Sequence, residues 1–274
     1  MNAILTVTRK EFQDGLRNRW VLAIALVLAM MAVGIAYFGA AASGGLGFTS
    51  LATTVVSLST LAVFLIPLIA LLLAYDAIVG EQEAGTLLLL LTYPLSRSAL
   101  LLGKFLGHGL ILGVATTLGF GIAGVAIALG GNGIDMGELA GSIALLILSS
   151  VLLGWVFIAF AYLISVWVVE KARAAGLALI VWFLFVLVFD LALLALLVGA
   201  QHGGDWLPYL LLLNPTDCFR LINLAGLEAA QAYSGLTALA RDSAFQPEWL
   251  LLILLGWIVV PLALALLRFR NRSV

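Results

Sequence analysis

Charged residues are scarce in this chain of 274 residues, because only 10% of them are charged whereas 64% are hydrophobic. An average soluble domain is about half apolar and about a quarter charged. A chain with so few charges cannot cover the surface of a soluble fold with polar groups. The composition therefore excludes an ordinary soluble domain and indicates a protein that lies mainly in a lipid bilayer.

Cysteine and lysine are also rare. The single cysteine, Cys218, excludes an internal disulfide and a CxxC redox pair. A nucleotide-binding P-loop needs the pattern G-x-x-x-x-G-K-[ST]. The one Gly-Lys pair, Gly103-Lys104, has Phe105 after it and Ser98 at the position of the first glycine. ATP hydrolysis by this chain is therefore excluded.

Metal-ligating residues are too few and too scattered for a metal site. No H-E-x-x-H motif occurs, and the two histidines, His108 and His202, lie far apart in the sequence. A soft copper site needs clustered Cys, Met or His, but the neighbouring Met30 and Met31 point to different sides of a helix. We expect a non-catalytic membrane subunit with no metal and no bound cofactor, and we place His108 near the membrane interface.

Six stretches are long and apolar enough to cross a bilayer, which takes about 20 residues of helix. A run without charge between Arg19 and Asp76 holds two of them, divided by Ser43-Gly44-Gly45 and Gly47. The apolar run before Ala40-Ala41-Ala42 is too long for a signal peptide. The predicted spans are 20–42, 51–75, 105–129, 139–168, 174–199 and 249–267.

Basic residues decide the predicted orientation, since Lys and Arg concentrate in short cytoplasmic loops. With six spans, eleven of the thirteen basic residues fall on one side, and only Arg220 and Arg241 lie opposite. We therefore predict an inner-membrane protein with both termini in the cytoplasm. Residues 1–19 then form a cytoplasmic segment, 20–268 a transmembrane domain, and 269–274 a cytoplasmic tail.

The N-terminal segment is amphipathic rather than membrane-spanning. Leu5, Phe12 and Leu16 recur near helical spacing, and charged residues occupy the other face. This pattern is typical of a helix that lies along the membrane interface. A plain basic anchor for the first span explains the same residues equally well.

The inner segment 76–104 joins the second and third predicted spans and has the signals of a short helix. Glu81 and Glu83 suit the first turn of a helix, where carboxylates meet the positive end of the dipole. Pro94 is expected to end that helix, and Ser96 to cap the next one. We predict one short cytoplasmic helix between Glu81 and Arg97, too short to cross the membrane.

The outer loop 200–248 is long enough to contain structure of its own. Asn214-Pro215-Thr216-Asp217 predicts a helix start, with Asn as the cap and Pro at the first position. Phe219, Ile222 and Leu227 form a possible apolar edge of this helix. We predict an extracytoplasmic subdomain of about two short helices before the last span.

Asp190 is the one carboxylate well inside a predicted span. Ionisable groups within a membrane are candidates for function. A carboxylate near the outer interface can equally be hydrogen-bonded within the bundle or protonated. Both interpretations of Asp190 stay open from the sequence.

The inner segment resembles that of the ABC-2 type permease family. Six predicted spans, the amphipathic N-terminal helix and the large last outer loop extend the resemblance over the whole chain. The outer Asn214-Pro215-Thr216-Asp217 and Phe219-Arg220 narrow it to the permeases that serve nitrous oxide reductase maturation. The inner residues that carry it are Glu81, Glu83, Gly85, Thr86, Pro94, Ser96, Arg97 and Gly103-Lys104.

This resemblance implies an all-α, type V exporter-like fold and a complex in the lipid bilayer, with no nucleic acid. The complex comprises two copies of this chain, two copies of a cytoplasmic ATPase that binds ATP and Mg²⁺, and a periplasmic copper-handling partner. The inner residues, with Lys104, become the ATPase-coupling site. Asn214, Pro215, Asp217, Phe219 and Arg220 become the partner-docking site.

The resemblance leaves the cargo undecided. One hypothesis is that the spans transmit ATPase motion to the outer helices; a second is that a sulfur species crosses at the dimer interface. Both serve assembly of the copper–sulfur centres of the reductase. The alternative from another class is a general ABC-2 exporter of lipid, peptide or drug.

Overall fold

The computed structural model describes residues 3–17, 20–38, 50–93, 95–131, 134–199, 207–224 and 246–272. These ranges are almost wholly helical and contain no strand. The described part of the chain is thus all-α, as the apolar composition predicts. Three predictions lie outside the described residues: the helix end at Pro94, the apolar contact of Leu227 and the outer position of Arg241.

The described residues form twelve α-helices, with one π-helical turn and one 3₁₀ turn. The long ones are α1 (Ala3–Arg17), α2 (Trp20–Phe38), α3 (Leu51–Ala74), α6 (Arg97–Gly130), α7 (Met136–Trp167), α8 (Lys171–Phe183), α9 (Phe189–Gly199) and α12 (Pro247–Arg270). A π-helical turn, Leu184–Val188, joins α8 to α9. The short helices are α4 (Val79–Glu83), α5 (Thr86–Thr92), α10 (Leu207–Leu210) with a 3₁₀ turn at Leu211–Leu213, and α11 (Pro215–Leu224).

Five helical segments in the described chain are long and apolar enough to cross a membrane: Leu51–Glu83, Arg97–Gly130, Met136–Trp167, Lys171–Gly199 and Glu248–Arg270. We call them spans two to six. The shorter apolar helix α2 has 19 residues, which corresponds to about 28 Å of helix. The chain is therefore a multi-pass membrane protein. The total of six spans stays a prediction, because it depends on α2 being the first span.

Span four, α7, is the centre of the bundle, because it packs against α3, α6, α11 and α12. Its Phe157 and Phe160 meet Phe185 of span five and Trp257 of span six, with ring centroids 5.3–6.1 Å apart. Aromatic pairs at such distances prefer edge and offset arrangements that fix their neighbours. The cluster joins three spans in the interior.

The N-terminal helix α1 packs along α6, with Val7 and Thr8 buried in the contact. Gly103 and Gly107 of α6 make the approach possible. A β-carbon at Gly103 would lie 2.6 Å from Val7 Cβ, and one at Gly107 would lie 2.5 Å from Glu11 Cβ. Small residues four apart let helix backbones come close in membrane proteins. The amphipathic helix is thus fixed to span three by a specific contact.

Basic side chains collect at one end of the bundle, where α6 and α8 begin and α7 and α12 end. Arg97, Lys104, Lys171 and Arg272 bind groups there on neighbouring helices. We call this the basic end. The opposite end contains α10 and α11.

The close contact between α1 and α6 predicts that Gly107→Ala destabilises the protein. The added methyl group would clash with the Glu11 side chain, and overpacking of this kind costs about 1–3 kcal/mol. We expect a lower melting temperature in detergent, followed by tryptophan fluorescence. Gly121→Ala on the same helix is the control, because nothing lies within 4 Å of its β-carbon position. Equal melting temperatures for the two variants would contradict the close packing.

Candidate functional site

The inner segment forms two short helices rather than the single helix that the sequence predicted. Gly85 separates α4 from α5 with a φ of 71°. This left-handed conformation is strained for residues with a β-carbon and ends the run of helical hydrogen bonds. Glu81 still lies in the first turn of α4, but Glu83 is its last residue. The prediction of one helix from Glu81 to Arg97 was therefore wrong.

Lys104 is the central charge at the basic end. Its ammonium group lies 2.9 Å from Glu11 Oε1 of α1 and 3.1 Å from Glu81 Oε1 of α4. The Lys104 side chain is only 6% exposed. Burial by itself raises the pKa of Glu11, but the charge of Lys104 and its hydrogen bond outweigh burial and lower that pKa. One buried cation thus connects α1, α4 and α6.

Glu81 is fixed on both of its oxygens. Oε1 binds Lys104, and Oε2 accepts a hydrogen bond from the Thr86 hydroxyl, whose oxygen also lies 3.1 Å from the Glu81 carbonyl oxygen. Thr86 is the first residue of α5. The pair therefore bridges the break at Gly85 and holds α4 and α5 as one unit.

Glu83 and Asp76 connect this unit to span five. Glu83 Oε1 accepts from the backbone N–H of Lys171 at 2.6 Å, and Asp76 Oδ2 binds the Lys171 ammonium at 2.6 Å. Lys171 is the first residue of α8. A carboxylate at the start of a helix is favoured by the free N–H groups and the dipole. Both contacts tie the inner segment to the beginning of span five.

A buried hydroxyl joins the start of α4 to span four. Ser165 Oγ of α7 accepts from the backbone N–H groups of Ile78 and Val79, both at 3.0 Å. These N–H groups belong to the first turn of α4, where no helical partner is available. Ser165 is fully buried. The contact fixes α4 against the last turn of α7.

Two arginines donate hydrogen bonds to the carbonyls at the C-terminal ends of spans six and four. Arg97 donates to the carbonyls of Phe269 at 3.1 Å and of Arg272, at the end of α12. Arg272 donates in turn to the carbonyls of Val166 at 2.9 Å and Val168 at 3.0 Å, at the end of α7. Basic groups complement the free carbonyls at a helix C-terminus. Ser96 caps α6 beside Arg97 through the N–H of Ala99 at 3.1 Å.

One side of the inner segment stays exposed. Glu83 and Gly85 are exposed, as are Leu88, Leu89 and Tyr93, with exposed fractions of 58%, 64% and 64% for the last three. Leu87, by contrast, is buried against the core. Exposed large apolar residues beside polar ones mark candidate interaction surfaces. We call these five residues the α4–α5 surface.

A polar cavity of about 370 Å³ lies behind the inner segment. His108 of α6 reaches its wall and shares a 2.8 Å hydrogen bond between Nδ1 and the Tyr162 hydroxyl of α7. His108 thus has a partner within the bundle, although the sequence placed it near the interface. The residues that line the cavity are Glu11, Asp76, Ala77, Gly80, Glu81, Ala84, Thr86, Lys104, His108 and Lys171.

At the opposite end, α10 and α11 are the two short helices that the loop 200–248 was expected to contain. They are not a separate subdomain, because α11 packs among α3, α7 and α12. Phe219 and Ile222 are fully buried there. Apolar residues on this helix find their partners within the bundle, so the edge predicted from them is an internal contact.

Asn214 starts α11 as its position predicts. Its Oδ1 accepts from the Thr216 N–H at 3.0 Å and the Thr216 hydroxyl at 2.9 Å. Its amide Nδ2 donates to Asp217 Oδ2 at 3.0 Å and to the Phe185 carbonyl at 2.9 Å. Thr216 Oγ1 also lies 3.2 Å from the same carbonyl, so its single proton is shared between this carbonyl and Asn214 Oδ1. The cap thus also joins α11 to the π turn of span five.

Asp190 pairs with Arg220. The Arg220 NH1 group lies 2.7 Å from Asp190 Oδ2 and 2.8 Å from Asp217 Oδ1. Asp217 is 3% exposed. Burial, followed by the charge of Asp190, raises the pKa of Asp217 to about 7 and outweighs the opposite effects of Arg220 and Asn214. Two carboxylates share one guanidinium, and a low dielectric disfavours the extra negative charge.

Sequence reasoning selected these residues but not their pairings. Asp190 is the one carboxylate inside a predicted span, and Arg220 is one of two basic residues on the outer side. Their isolation in apolar surroundings was a signal that they bind each other. Glu11, the partner of Lys104, was missed because a polar face on an amphipathic helix is ordinarily exposed to water.

The docking role predicted for the outer residues stays a prediction. Asn214, Pro215, Asp217 and Phe219 are buried in the chain itself. Arg220 is partly exposed but bound to two carboxylates. Any effect of these residues on a partner would therefore be exerted through the position of α11.

The described residues contain no group of three or more His, Cys, Asp or Glu side chains able to hold a metal ion. Cys218 is buried, and burial raises the pKa of its thiol to about 12. The thiol is therefore protonated at neutral pH and is a poor nucleophile.

The raised pKa of Asp217 predicts a stability that falls as pH rises from about 4 to about 7. In this window the folded protein keeps a proton on the carboxyl group that the unfolded chain releases. Asp217→Asn is uncharged and should lack this fall. We expect the variant to melt higher than the parent at pH 8 by several °C, and the difference to shrink as the pH falls towards 4.

The matched control for this titration is Glu248→Gln, because Glu248 is an exposed carboxylate at the same end. It should keep the pH dependence of the parent protein. A pH profile of Asp217→Asn that parallels the parent would show that Asp217 does not titrate in this window.

Comparison with known proteins agrees with these features. Residues 5–274 match the family described as ABC-2 family transporter protein. The chain is 59% identical over 274 residues to a probable ABC transporter permease protein NosY of Stutzerimonas stutzeri, covering 99% of both chains. It is 57% identical over 276 residues to a protein of the same name from Pseudomonas aeruginosa, covering 100% of both.

The residues that carried the resemblance lie at positions where the structure connects the spans. Lys104, Arg97 and Ser96 bind or cap helices at the basic end, and Glu81 and Thr86 join α4 to α5. The family match and the two relatives each extend over nearly the whole chain. The NosY permeases are thus similar to this chain over its whole length, and the chain belongs to the ABC-2 family of transporter proteins.

Proposed function

We propose that this chain is the membrane subunit of an ABC transporter complex that serves the maturation of nitrous oxide reductase. Two copies of the chain form a homodimer and bind two copies of a separate ATPase at the basic end. ATP and Mg²⁺ belong to that ATPase, and this chain contributes no catalytic group. The observation that carries the proposal is the polar network that links the inner segment to α1 and to spans three to six.

The basic end is the cytoplasmic side in this proposal. Arg97, Lys104, Lys171 and Arg272 lie there, and Lys and Arg favour the cytoplasmic side of bacterial inner membranes. Both termini are then cytoplasmic, and α11 faces the periplasm. This orientation presents the α4–α5 surface to a soluble ATPase.

The network suits a transmitter of motion. A push on α4 and α5 acts on α6 through Lys104, on α8 through Glu83 and on α7 through Ser165. Spans four and six are linked beyond this by Arg272. Helices joined by short, directional bonds move together rather than independently, so closure of the ATPase pair would change the relative positions of the spans.

Leu89→Glu should weaken binding of the ATPase. The residue is 64% exposed on α5, so a carboxylate there leaves the fold intact but places a charge in an apolar contact. We expect at least tenfold less ATPase to co-purify with the tagged variant. Met136→Glu is the control, since Met136 is 53% exposed at the opposite end. Normal co-purification with Leu89→Glu would contradict the docking assignment.

The outer role of the complex is to act on a periplasmic copper-handling partner during assembly of the copper–sulfur centres. Mechanical transmission is our preferred mechanism. The α11 helix is joined to span five by polar bonds and to spans two, four and six by packing. A shift of the spans is therefore passed directly to the outer surface.

A vesicle assay separates transmission from transport of a sulfur species. The complete complex would be reconstituted and supplied with ATP and an isotopically labelled sulfur compound such as sulfide or a persulfide. Transmission predicts equal label inside the vesicles with ATP and with a complex whose ATPase is inactive. ATP-dependent movement of the label would contradict a purely mechanical transmission and favour transport of the sulfur species.

A general ABC-2 exporter of lipid, peptide or drug is the second candidate. The family match by itself is equally compatible with it. Deletion of the gene separates the two: loss of copper–sulfur centre assembly supports the maturation function. Unchanged assembly together with altered export would favour the general exporter.

A further inference from the structure

The α11 helix is attached to its neighbours in two different ways. Towards spans two, four and six its contacts are mainly apolar, with Phe219, Ile222 and Cys218 fully buried. One polar bond supplements them, from Asn223 Nδ2 to Ser149 Oγ of α7 at 2.9 Å. Apolar packing holds a helix in place but allows small sliding movements, because it is not directional.

Towards span five the attachment is polar. The Phe185 carbonyl accepts from Asn214 and Thr216, and Asp190 binds Arg220. Phe185 and Asp190 are five residues apart, which is about one turn of the π-helical segment that begins at Leu184. Two bonded points at this separation fix both the position and the direction of α11 relative to span five.

The π turn lies at the first of these points. It spans Leu184–Val188 and contains Phe185, and the N–H of Phe189 bonds to the Leu184 carbonyl five residues earlier. A π turn interrupts the regular ladder of a helix and is commonly found at functional positions. Span five is also the least covered of the five spans, with 17% of its most apolar window buried against 28–61% in the others. It has the fewest internal contacts to resist a displacement.

We propose that Arg220, with Asp190 and the Phe185 carbonyl, forms a polar joint that transfers displacement of span five to α11. Arg220 is a positioning residue in this joint. The inference rests on the proposed function in one respect, which is that α11 lies on the output side of the ATP-driven movement. It assigns Asp190 a role in coupling rather than in transport of a charged cargo.

The charges of the joint favour a connection that can be opened. Arg220 has to satisfy two carboxylates through the same NH1 group. Asp190 Oδ1 is buried without a hydrogen-bond partner in the described residues. A fully satisfied pair would resist separation more strongly. The joint is therefore held by fewer bonds than its polar groups can make.

Cys218 provides a reporter of the joint, because it is the only cysteine in the chain and is fully buried beside Asp217 on α11. Its thiol reacts slowly while it is buried, so a movement of α11 that admits solvent accelerates the reaction. The test uses the complete complex with the ATPase and its outer partner in lipid nanodiscs. The rate of N-ethylmaleimide addition to Cys218 is measured by peptide mass spectrometry, without nucleotide and with ATP trapped by vanadate. The variants are Asp190→Asn, Arg220→Gln and the conservative Arg220→Lys.

In the parent complex we expect trapping to change the rate of addition at Cys218 by at least about threefold. In Asp190→Asn and Arg220→Gln the rates with and without nucleotide should be equal within about 1.5-fold. Arg220→Lys keeps the positive charge and should retain part of the change. Glu248→Gln, an exposed carboxylate at the same end, should behave as the parent.

Two results would overturn the joint. One is a parent complex in which trapping leaves Cys218 addition unchanged; the other is a nucleotide response in Asp190→Asn equal to that of the parent. A purely structural role lowers the melting temperature and raises the rate of addition by the same factor in both nucleotide states, so that the ratio of the two rates stays that of the parent. The assay does not depend on nitrous oxide reductase. It therefore tests the joint even if the proposed maturation function is wrong.

Discussion

The ammonium group of Lys104 binds two carboxylates from different parts of the chain, Glu11 of α1 and Glu81 of α4. The rest of the basic end depends on this contact, because a buried charge needs partners and the partners fix the helices that carry them. Glu81 then orients Thr86 across the break at Gly85. The position of α5, and of the α4–α5 surface, follows from that chain of bonds.

Because charged residues are few, each of them contributes strongly to the specific connections between helices. In a chain with 10% charged residues, most side chains in the spans pack without direction, and lipid competes with helix–helix contact. Directional bonds therefore supply the specific connections between spans. At the basic end they begin at groups that helices leave free: the N–H groups of Ile78 and Lys171, and the carbonyls of Phe269 and Val166.

The two ends differ in how their charges are balanced. At the basic end Lys104 satisfies two carboxylates that are partly open to the cavity. At the opposite end Arg220 shares one NH1 group between Asp190 and the nearly buried Asp217, and the pKa of Asp217 is raised. The first arrangement is suited to receiving a force at a fixed point. In the joint that we propose, the second passes this force on to α11.

The sequence by itself determined the class of the protein and the places where polar groups matter. Its hydropathy implied membrane helices, and Ser96 and Asn214 marked helix starts that the structure contains. The absence of a P-loop motif led to the prediction that a separate subunit hydrolyses ATP. The tertiary structure decided the pairings: Lys104 with Glu11, Asp190 with Arg220, and the π turn with Asn214. It also decided that Gly85 divides the inner helix. Local patterns report on residues a few positions apart, whereas these contacts join groups 29 to 93 positions apart and depend on how apolar helices pack.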